Sequence, residues 1–480
     1  MRKPWLKLSL AIGLCVVGCG DDEEEGDKPC DPVANEGCEE GQVCELVQNG
    51  EPACFAPLTI AGRVIDLADE AGVEGAHIVA LDINGAARSE VAISDGDGSY
   101  SIRLPAERDA DGNPLGDPFT LHASAPGYAT FPEPPRQSLP IDIDEAAESD
   151  GMLVIESSAT TIGLLALGSD AGDGRIAGSI AHELGAGALV IAVVDGVAVS
   201  RTIADLDGAF VLFNVPAGDV SVEAYLAGLN VEPELVSLGA GATEEGVELQ
   251  ASTEGLSTVG GSVNIVNAEG GLTTSVILAL EATFNDDVKR GIAPAGLRAA
   301  DVSGAFMIEG VAPGRYVALA AFENDELVRD PDEGIAGTDI VHLTVEGDEP
   351  EVTLEQSFKV TQALAVTSPA SSDELEVMDP GADPTFTWVD DSSEDGYEVR
   401  IYDAFGRMVH EALDVPRVTG STAVTYTWAG AELEPGMIYQ LRAWSFREDR
   451  AGGERSYISA TEDLRGVFLV QAANGEESEQ

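Results

Sequence analysis

An Asp/Gly turn runs directly into an alternating strand in the stretch Ser94-Asp95-Gly96-Asp97-Gly98-Ser99-Tyr100-Ser101-Ile102-Arg103. Asp side chains accept backbone N–H groups in tight turns, and glycine adopts the positive φ that closes a hairpin. After the turn, Tyr100 and Ile102 alternate with polar residues, which is the period of a strand with one buried face. The stretch therefore predicts a β-hairpin that places Tyr100 in a core.

The same turn and strand recur twice further along the chain. In every copy a strand that begins with glycine comes first, and an aromatic residue follows the turn. We expect the turn glycines to adopt positive φ and the aromatic residues to be buried. In the order first-strand glycine, turn glycine, aromatic residue, the copies are Gly62, Gly98 and Tyr100; Gly178, Gly208 and Phe210; and Gly261, Gly304 and Phe306. Short strands repeated at this spacing predict sandwiches in series.

The repeated pattern resembles the carboxypeptidase regulatory-like, or transthyretin-like, module. The resemblance implies a seven-stranded sandwich that is itself noncatalytic. The first copy matches best. The third departs from the pattern, because a longer stretch precedes its turn and Ser303 stands where the other copies carry Asp97 and Asp207.

The last long segment has a different pattern and holds three of the four Trp residues. It contains Pro384-Thr385-Phe386-Thr387-Trp388, Gly396-Tyr397-Glu398-Val399-Arg400-Ile401-Tyr402 and Leu433-Glu434-Pro435-Gly436-Met437-Ile438-Tyr439-Gln440-Leu441. Alternation places Tyr397, Val399 and Ile401 on one face, with Glu398 and Arg400 on the other. The early Trp and the late Leu-x-Pro-Gly-x-x-Tyr-x-Leu resemble a fibronectin type III domain.

The N-terminal residues read as an export signal. A short basic stretch precedes the uncharged run 8–18, which is too short to span a bilayer. The run ends in Val16-Val17-Gly18-Cys19, which resembles a bacterial lipobox and implies a lipid on Cys19. The alternative is an ordinary cleaved signal in which Cys19 is incidental. The acidic residues that follow directly suit a solvated tether.

Four Cys residues then lie within one short segment: Cys30, Cys38, Cys44 and Cys54. An even number of closely spaced Cys in an exported chain predicts two disulfides that staple a small domain. Three pairings can be drawn, and we favour Cys30–Cys44 with Cys38–Cys54. A zinc site is the competing interpretation, but the segment has no C-x-x-C spacing and no His.

The sequence thus predicts an all-β fold: serial Ig-like or transthyretin-like β-sandwich domains preceded by a signal peptide, an acidic tether and a small disulfide-rich segment. The predicted parts are the signal peptide 1–18, the tether 19–29, the disulfide segment 30–57, sandwiches at 58–168, 174–252 and 256–360, the fibronectin type III-like domain 361–471 and the polar tail 472–480. Alternation along the strands predicts that Val79 and Val399 each feed the core of their own domain.

The net charge of −61 at pH 7 argues against nucleic-acid binding, which depends on clusters of Lys and Arg. Paired acids in the turns could attract Ca²⁺, although turn hydrogen bonding explains them better. The calcium candidates are Asp95, Asp97, Asp205, Asp207, Asp109 and Asp111. The loop that begins at Glu107 imitates an EF-hand, yet Pro118 stands where a bidentate Glu is needed.

No catalytic motif appears in the sequence, and its five His residues are scattered. We expect a noncatalytic lipoprotein without a cofactor, anchored by its lipid at the cell envelope, at the outer membrane or cell surface. It would project its sandwiches for binding or for structural contact with a protein or glycan partner. The alternatives are a carbohydrate-binding envelope protein and a structural subunit of a surface complex.

Overall fold

The computed structural model describes residues 30–32, 36–39, 41–82, 85–149, 151–169, 171–332, 334–371, 375–379, 381, 384–448 and 455–471. Within these ranges the chain forms 39 strands and three 3-10 helices, so the predicted all-β fold is confirmed. None of the helices in the described ranges is long and apolar enough to cross a membrane. The predicted signal peptide, the lipid on Cys19, the tether and the polar tail lie outside the described residues.

The disulfide segment is a two-stranded sheet. Strand β1 (Val43–Glu45) pairs antiparallel with β2 (Ala53–Phe55). The predicted disulfides are confirmed, with the pairing Cys30–Cys44 and Cys38–Cys54. Such a small segment buries little core, so the two covalent links carry much of its stability.

Unit 1 is a sandwich of two sheets that follows the disulfide segment. Its strands are β3 (Leu58–Asp66), β4 (His77–Leu81), β5 (Ala92–Ile93), β6 (Ser99–Arg103), β7 (Glu107–Arg108), β8 (Pro114–Leu115), β9 (Thr120–Ser124), β10 (Ala147–Ser149), β11 (Met152–Ile155) and β12 (Thr161–Leu164), with 3-10 helices at Ile143–Glu145 and Ser158–Thr160. One sheet has the order β10-β11-β3-β12 with β6 also on β3, and the other has the order β5-β4-β9. Their facing sides enclose a buried apolar core.

Unit 2 has the same plan. Its strands are β13 (Gly174–Ile180), β14 (Leu189–Val194), β15 (Val197–Ile203), β16 (Ala209–Val215), β17 (Gly218–Leu226), β18 (Leu229–Val231), β19 (Glu234–Leu238), β20 (Thr243–Leu249) and β21 (Ala251–Ser252). The sheets have the orders β16-β13-β20 and β15-β14-β17-β18-β21, with β19 also on β17.

Unit 3 repeats this plan once more. Its strands are β22 (Ser257–Val266), β23 (Thr274–Leu280), β24 (Arg298–Val302), β25 (Ala305–Val311), β26 (Gly314–Ala320), β27 (Leu327–Arg329), β28 (Val341–Val345), β29 (Glu351–Thr353) and β30 (Phe358–Gln362), with a 3-10 helix at Glu281–Thr283. The sheets have the orders β25-β22-β30-β27, with β29 also on β22, and β24-β23-β26-β28.

Unit 4 pairs a three-stranded sheet with a six-stranded one. Its strands are β31 (Val366–Ser368), β32 (Glu376–Met378), β33 (Thr385–Val389), β34 (Gly396–Asp403), β35 (Met408–Pro416), β36 (Ala423–Thr427), β37 (Ile438–Glu448), β38 (Arg455–Ala460) and β39 (Val467–Val470). The orders are β31-β33-β36 and β32-β39-β37-β34-β35, with β38 also on β37. Tyr397, Val399 and Ile401 are fully buried in its core, as predicted.

Units 1 to 3 share one pairing scheme, which explains the repeated sequence. In each, the first strand pairs antiparallel with the strand after the turn and parallel with one or two strands near the end of the unit. The first-strand glycine lies opposite the aromatic residue in all three units. The aromatic rings are buried, as predicted.

The turn glycines follow the prediction in two units. Gly98 and Gly208 have φ of 83° and 74°. The prediction for Gly304 is wrong, because its φ lies outside the left-handed region, and in unit 3 a positive φ of 55° occurs at Asp301, inside β24. Asp tolerates the left-handed region better than most residues, because its short polar side chain bonds locally.

The units pack against one another through the outer faces of their sheets. Leu189 and Ile191 of unit 2 join the apolar cluster of unit 3, and Leu67 of unit 1 packs with Ile438 and Val467 of unit 4. The sandwiches predicted in series therefore also contact one another directly. The physical reason is that β14 and β23 are apolar on both faces, and such strands are buried on both sides.

The prediction for Val79 is also wrong. Ile78 and Ala80 feed the core of unit 1, whereas Val79 points to the other side of β4. There it packs in a cluster that includes Ala186 and Ile203 of unit 2. Val79 thus belongs to a contact between units.

Candidate functional site

The acidic turns use their carboxylates to hold the backbone. Oδ1 of Asp95 accepts from the N–H groups of Asp97 and Ser99 at 3.2 and 3.0 Å. Oδ1 of Asp205 accepts in the same way from Asp207 and Ala209, at 3.0 and 2.8 Å. This is the turn chemistry expected from the sequence.

The EF-hand-like loop closes by the same device. Oδ1 of Asp109 accepts from the N–H groups of Asp111 and Asn113, both at 2.8 Å. Hydrogen bonds from Asn113 lower the pKa of Asp109, because they stabilise the charged carboxylate. Calcium at these turns stays the alternative interpretation.

One group of metal-ligating side chains is close enough for a shared ion within the described ranges. It consists of Cys30, Cys38 and Cys54. Their sulfurs are already joined in disulfides, so they cannot act as thiolate ligands.

The histidines lie in different surroundings. The His77 ring meets Phe213 edge-on at 4.9 Å, and burial lowers the pKa of His77 to about 4. His342 lies 3.0 Å from Glu281, and Nε2 of His410 lies 2.6 Å from the Tyr426 hydroxyl. His182 accepts from the N–H of Leu184 within its own turn. The His77 contact crosses from unit 1 to unit 2, and the other three contacts lie within one unit.

The structure adds a set of polar contacts between units, which we call joints. Asn214 of unit 2 holds a corner of unit 1: its amide donates to the carbonyls of Ala125 and Tyr128 at 3.1 and 2.9 Å, and its oxygen accepts from the N–H of Gly127 at 2.6 Å. Arg201 of unit 2 donates to the carbonyl of Pro132 at 2.7 Å. Three of the four hydrogen-bonding positions of the Asn214 side chain therefore hold unit 1 against unit 2.

A second joint connects three units at one side chain. Arg290 of unit 3 donates to the carbonyl of Pro134 in unit 1 at 2.8 Å and to Oε1 of Gln440 in unit 4 at 2.6 Å. Arg290 is 5 % exposed. Its partners are 156 and 150 residues away in the sequence, so local sequence patterns could not have identified them.

Units 3 and 4 enclose a polar cleft of about 460 Å³. Gln440, Arg442 and Trp444 alternate outward along β37 into this cleft. The guanidinium groups of Arg400 and Arg442 lie 5.1 and 5.5 Å from the ring of Trp444. Asp463 joins the two walls, because it pairs with Arg442 at 2.6 Å and with Arg329 of unit 3 at 3.4 Å.

The charged face of β34 lies beside this cleft. Glu398 was correctly assigned to the face opposite the core, yet it is 3 % exposed. It pairs with Arg455 at 2.7 Å and accepts from the Tyr457 hydroxyl at 3.0 Å. The alternation gave the correct side of the strand, but packing covers that side as well.

Glu462 lies at the contact between units 3 and 4. Its carboxylate accepts from the N–H of Glu326 at 2.7 Å. Burial raises the pKa of Glu462 to about 7, because desolvation disfavours its charged form.

Comparison with known proteins gives structural matches alone. The sequence matches no protein family, and it matches none of the curated proteins. Among solved structures, the Bacillus anthracis TIE protein is 11 % identical, with 84 % of this chain and 68 % of that chain covered and a TM-score of 0.14. A streptococcal ancillary pilin is 10 % identical, with 63 % and 99 % covered and a TM-score of 0.16.

A third match is the tetra-tandem repeat in the extending region of a large adhesion protein. It is 13 % identical, with 85 % of this chain and 98 % of that chain covered and a TM-score of 0.14. Because these identities and TM-scores are so low, function has to be argued from the residues of this chain.

Proposed function

We propose that this chain is a noncatalytic cell-envelope lipoprotein. A lipid on Cys19 anchors it, and it presents a body of packed β-sandwiches for binding or structural interaction at the cell surface. Units 1 to 3 are proposed as carboxypeptidase regulatory-like modules and unit 4 as a fibronectin type III-like domain. Their shared pairing scheme and the buried Trp388 support these assignments.

The observation that carries the proposal is the attachment of the disulfide segment to unit 1. Nε of Arg108 lies 2.6 Å from Oε2 of Glu45, with the two side chains 1 % and 4 % exposed. Arg108 also donates to the carbonyl of Ala56 at 2.9 Å. A pair this buried is costly to break, because removal of one partner leaves an uncompensated charge. The segment that follows the tether is thereby fixed to the sandwiches.

The charged side chains near the clefts form contacts between units, and this supports a noncatalytic role. Arg442 and Arg329 both pair with Asp463, and Arg290 donates to a backbone oxygen and an amide oxygen. These groups join units together. Glycan binding stays a prediction, for which Trp444 in the polar cleft offers the aromatic ring.

Lipid attachment is tested by replacing its acceptor. Bacterial cells expressing the parent chain, Cys19→Ala or the control Cys15→Ala are fed an alkyne fatty acid, and the purified chains are assayed for the label. We expect the parent and Cys15→Ala to carry the label and to sediment with membranes, and Cys19→Ala to do neither. Equal labelling of Cys19→Ala and the parent would refute the lipoprotein assignment.

A further inference from the structure

A cavity of about 680 Å³ lies where units 1, 2 and 3 meet, and Leu464 of unit 4 also lines it. Its apolar wall comes from the outer faces of their sheets, with Leu81 of β4, Leu189 of β14, Ile203 of β15 and Ile277 of β23. Phe322 adds an aromatic side chain. Cavities of this size with mostly apolar walls and a few polar groups are typical of small-molecule sites.

His122 of β9 lines the cavity and is 6 % exposed. No side chain or backbone group of the described residues hydrogen-bonds to its ring. Its ring nitrogens are not among the fully buried unpaired atoms of the described residues, so they are accessible from the cavity. Burial and the nearby Arg201 lower the pKa of His122 to about 3. The neutral ring therefore offers one donor and one acceptor at neutral pH.

The charge around the cavity is opposite to that of the chain. The full sequence has 86 acidic and 25 basic side chains, yet the cavity is lined by Arg136, Arg201 and Arg298 and by the carboxylate of Glu323 alone. Arg298 pairs with Glu323 at 2.6 Å, Arg201 pairs with Glu133, and Arg136 donates to the carbonyl of Gly163. Each guanidinium has five N–H donors, and the contacts within the described residues leave several of them for a ligand.

We propose that this cavity binds an organic acid with an apolar body, its carboxylate held by the arginines and the ring N–H of His122. The apolar body would lie against Leu189, Ile203 and Ile277. Charge-assisted hydrogen bonds from Arg to a carboxylate are among the strongest that side chains make. This site is independent of the lipid proposed on Cys19.

The test is isothermal titration calorimetry of the full chain carrying Cys19→Ser, with decanoate as the probe. Decanamide has the same apolar body without a charge and serves as the control ligand. We expect decanoate to bind with a micromolar Kd and decanamide to bind at least about tenfold more weakly. No heat with decanoate, or equal affinity for the two ligands, would overturn the proposal.

Two variants locate the binding. Ala300 lines the cavity and is exposed, so Ala300→Trp fills the site without entering a core. Ala305→Trp makes the same change at an exposed position of unit 3 outside the cavity and is the matched control. Ala300→Trp should abolish decanoate binding, and Ala305→Trp should bind like the parent. Binding by both variants, or by neither, would contradict the location.

If Ala300→Trp fails to fold, His122→Leu tests whether decanoate binds in this cavity. Leu keeps an apolar side chain in the buried position and removes both ring nitrogens. We expect decanoate affinity to fall about tenfold, because a hydrogen bond to a charged group is lost. Unchanged affinity would refute the part assigned to His122.

Discussion

The pairing of a glycine with an aromatic ring is the residue-scale feature that units 1 to 3 have in common. A Cβ on Gly178 would lie 2.0 Å from the carbonyl oxygen of Val247 and 2.8 Å from Cζ of Phe210. On Gly62 it would lie 2.1 Å from the carbonyl oxygen of Thr160. The first strand therefore needs glycine because the strands on either side and the ring leave no room for a side chain.

We expect Gly178→Ala to destabilise unit 2 by about 1–3 kcal/mol, since its methyl group meets backbone that cannot move aside freely. Gly304→Ala is the control, because no atom lies within 4 Å of a Cβ there and its φ is not left-handed. That variant should stay within about 0.5 kcal/mol of the parent. Thermal unfolding followed by circular dichroism measures both. Equal melting temperatures for the two variants would show that the crowding at Gly178 is not real.

At the scale of single strands, the two faces of β4 pack against different parts of the molecule. Ile78 is fully buried in the core of unit 1, whereas the next residue, Val79, is 3 % exposed and packs toward unit 2. Burial alone does not distinguish them. The alternation of the strand assigns one to folding and the other to the contact between units.

We therefore expect Ile78→Asp to unfold unit 1, because an unpaired carboxylate in an apolar core is strongly unfavourable. Val79→Asp should leave unit 1 folded and loosen its contact with unit 2. Hydrogen–deuterium exchange separates the outcomes: β6 loses protection in Ile78→Asp, whereas β15 alone loses it in Val79→Asp. Loss of protection in β6 for both variants would place Val79 in the core after all.

Sequence patterns predicted strands, turns and disulfides because these depend on neighbouring residues. The Asp/Gly turns, the alternation around Val399 and the spacing of the four Cys are all local signals. The packing of units was missed, although a signal was present. The run Leu189–Val194 is apolar throughout, which breaks the alternation of a strand with one buried face and indicates burial on both sides.

At the scale of the whole molecule, the partners in the joints could not be predicted. Arg290, Asn214 and Asp463 bond to groups that the sequence places far away, and nothing in their neighbours distinguishes them from solvated side chains. The cavity and the polar cleft arise from these joints. The cavity and the cleft therefore depend on how the units pack together, whereas the core of each sandwich depends on its own strands.

The contact between units 3 and 4 should depend on pH through Glu462. Burial raises its pKa to about 7 from the ordinary value of 4.5, so the folded state favours the protonated carboxyl. The stabilisation from the protonated carboxyl is complete below pH 4.5 and is lost as the pH rises through 7.

Glu462→Gln imitates the protonated form and keeps the oxygen that accepts from the N–H of Glu326. It should raise stability by up to about 2 kcal/mol at pH 8 and leave it unchanged at pH 4. Melting temperatures of parent and variant at both pH values measure this, and comparing the two chains cancels the titration of the other acids. The same difference at both pH values would mean that Glu462 is already charged at this contact.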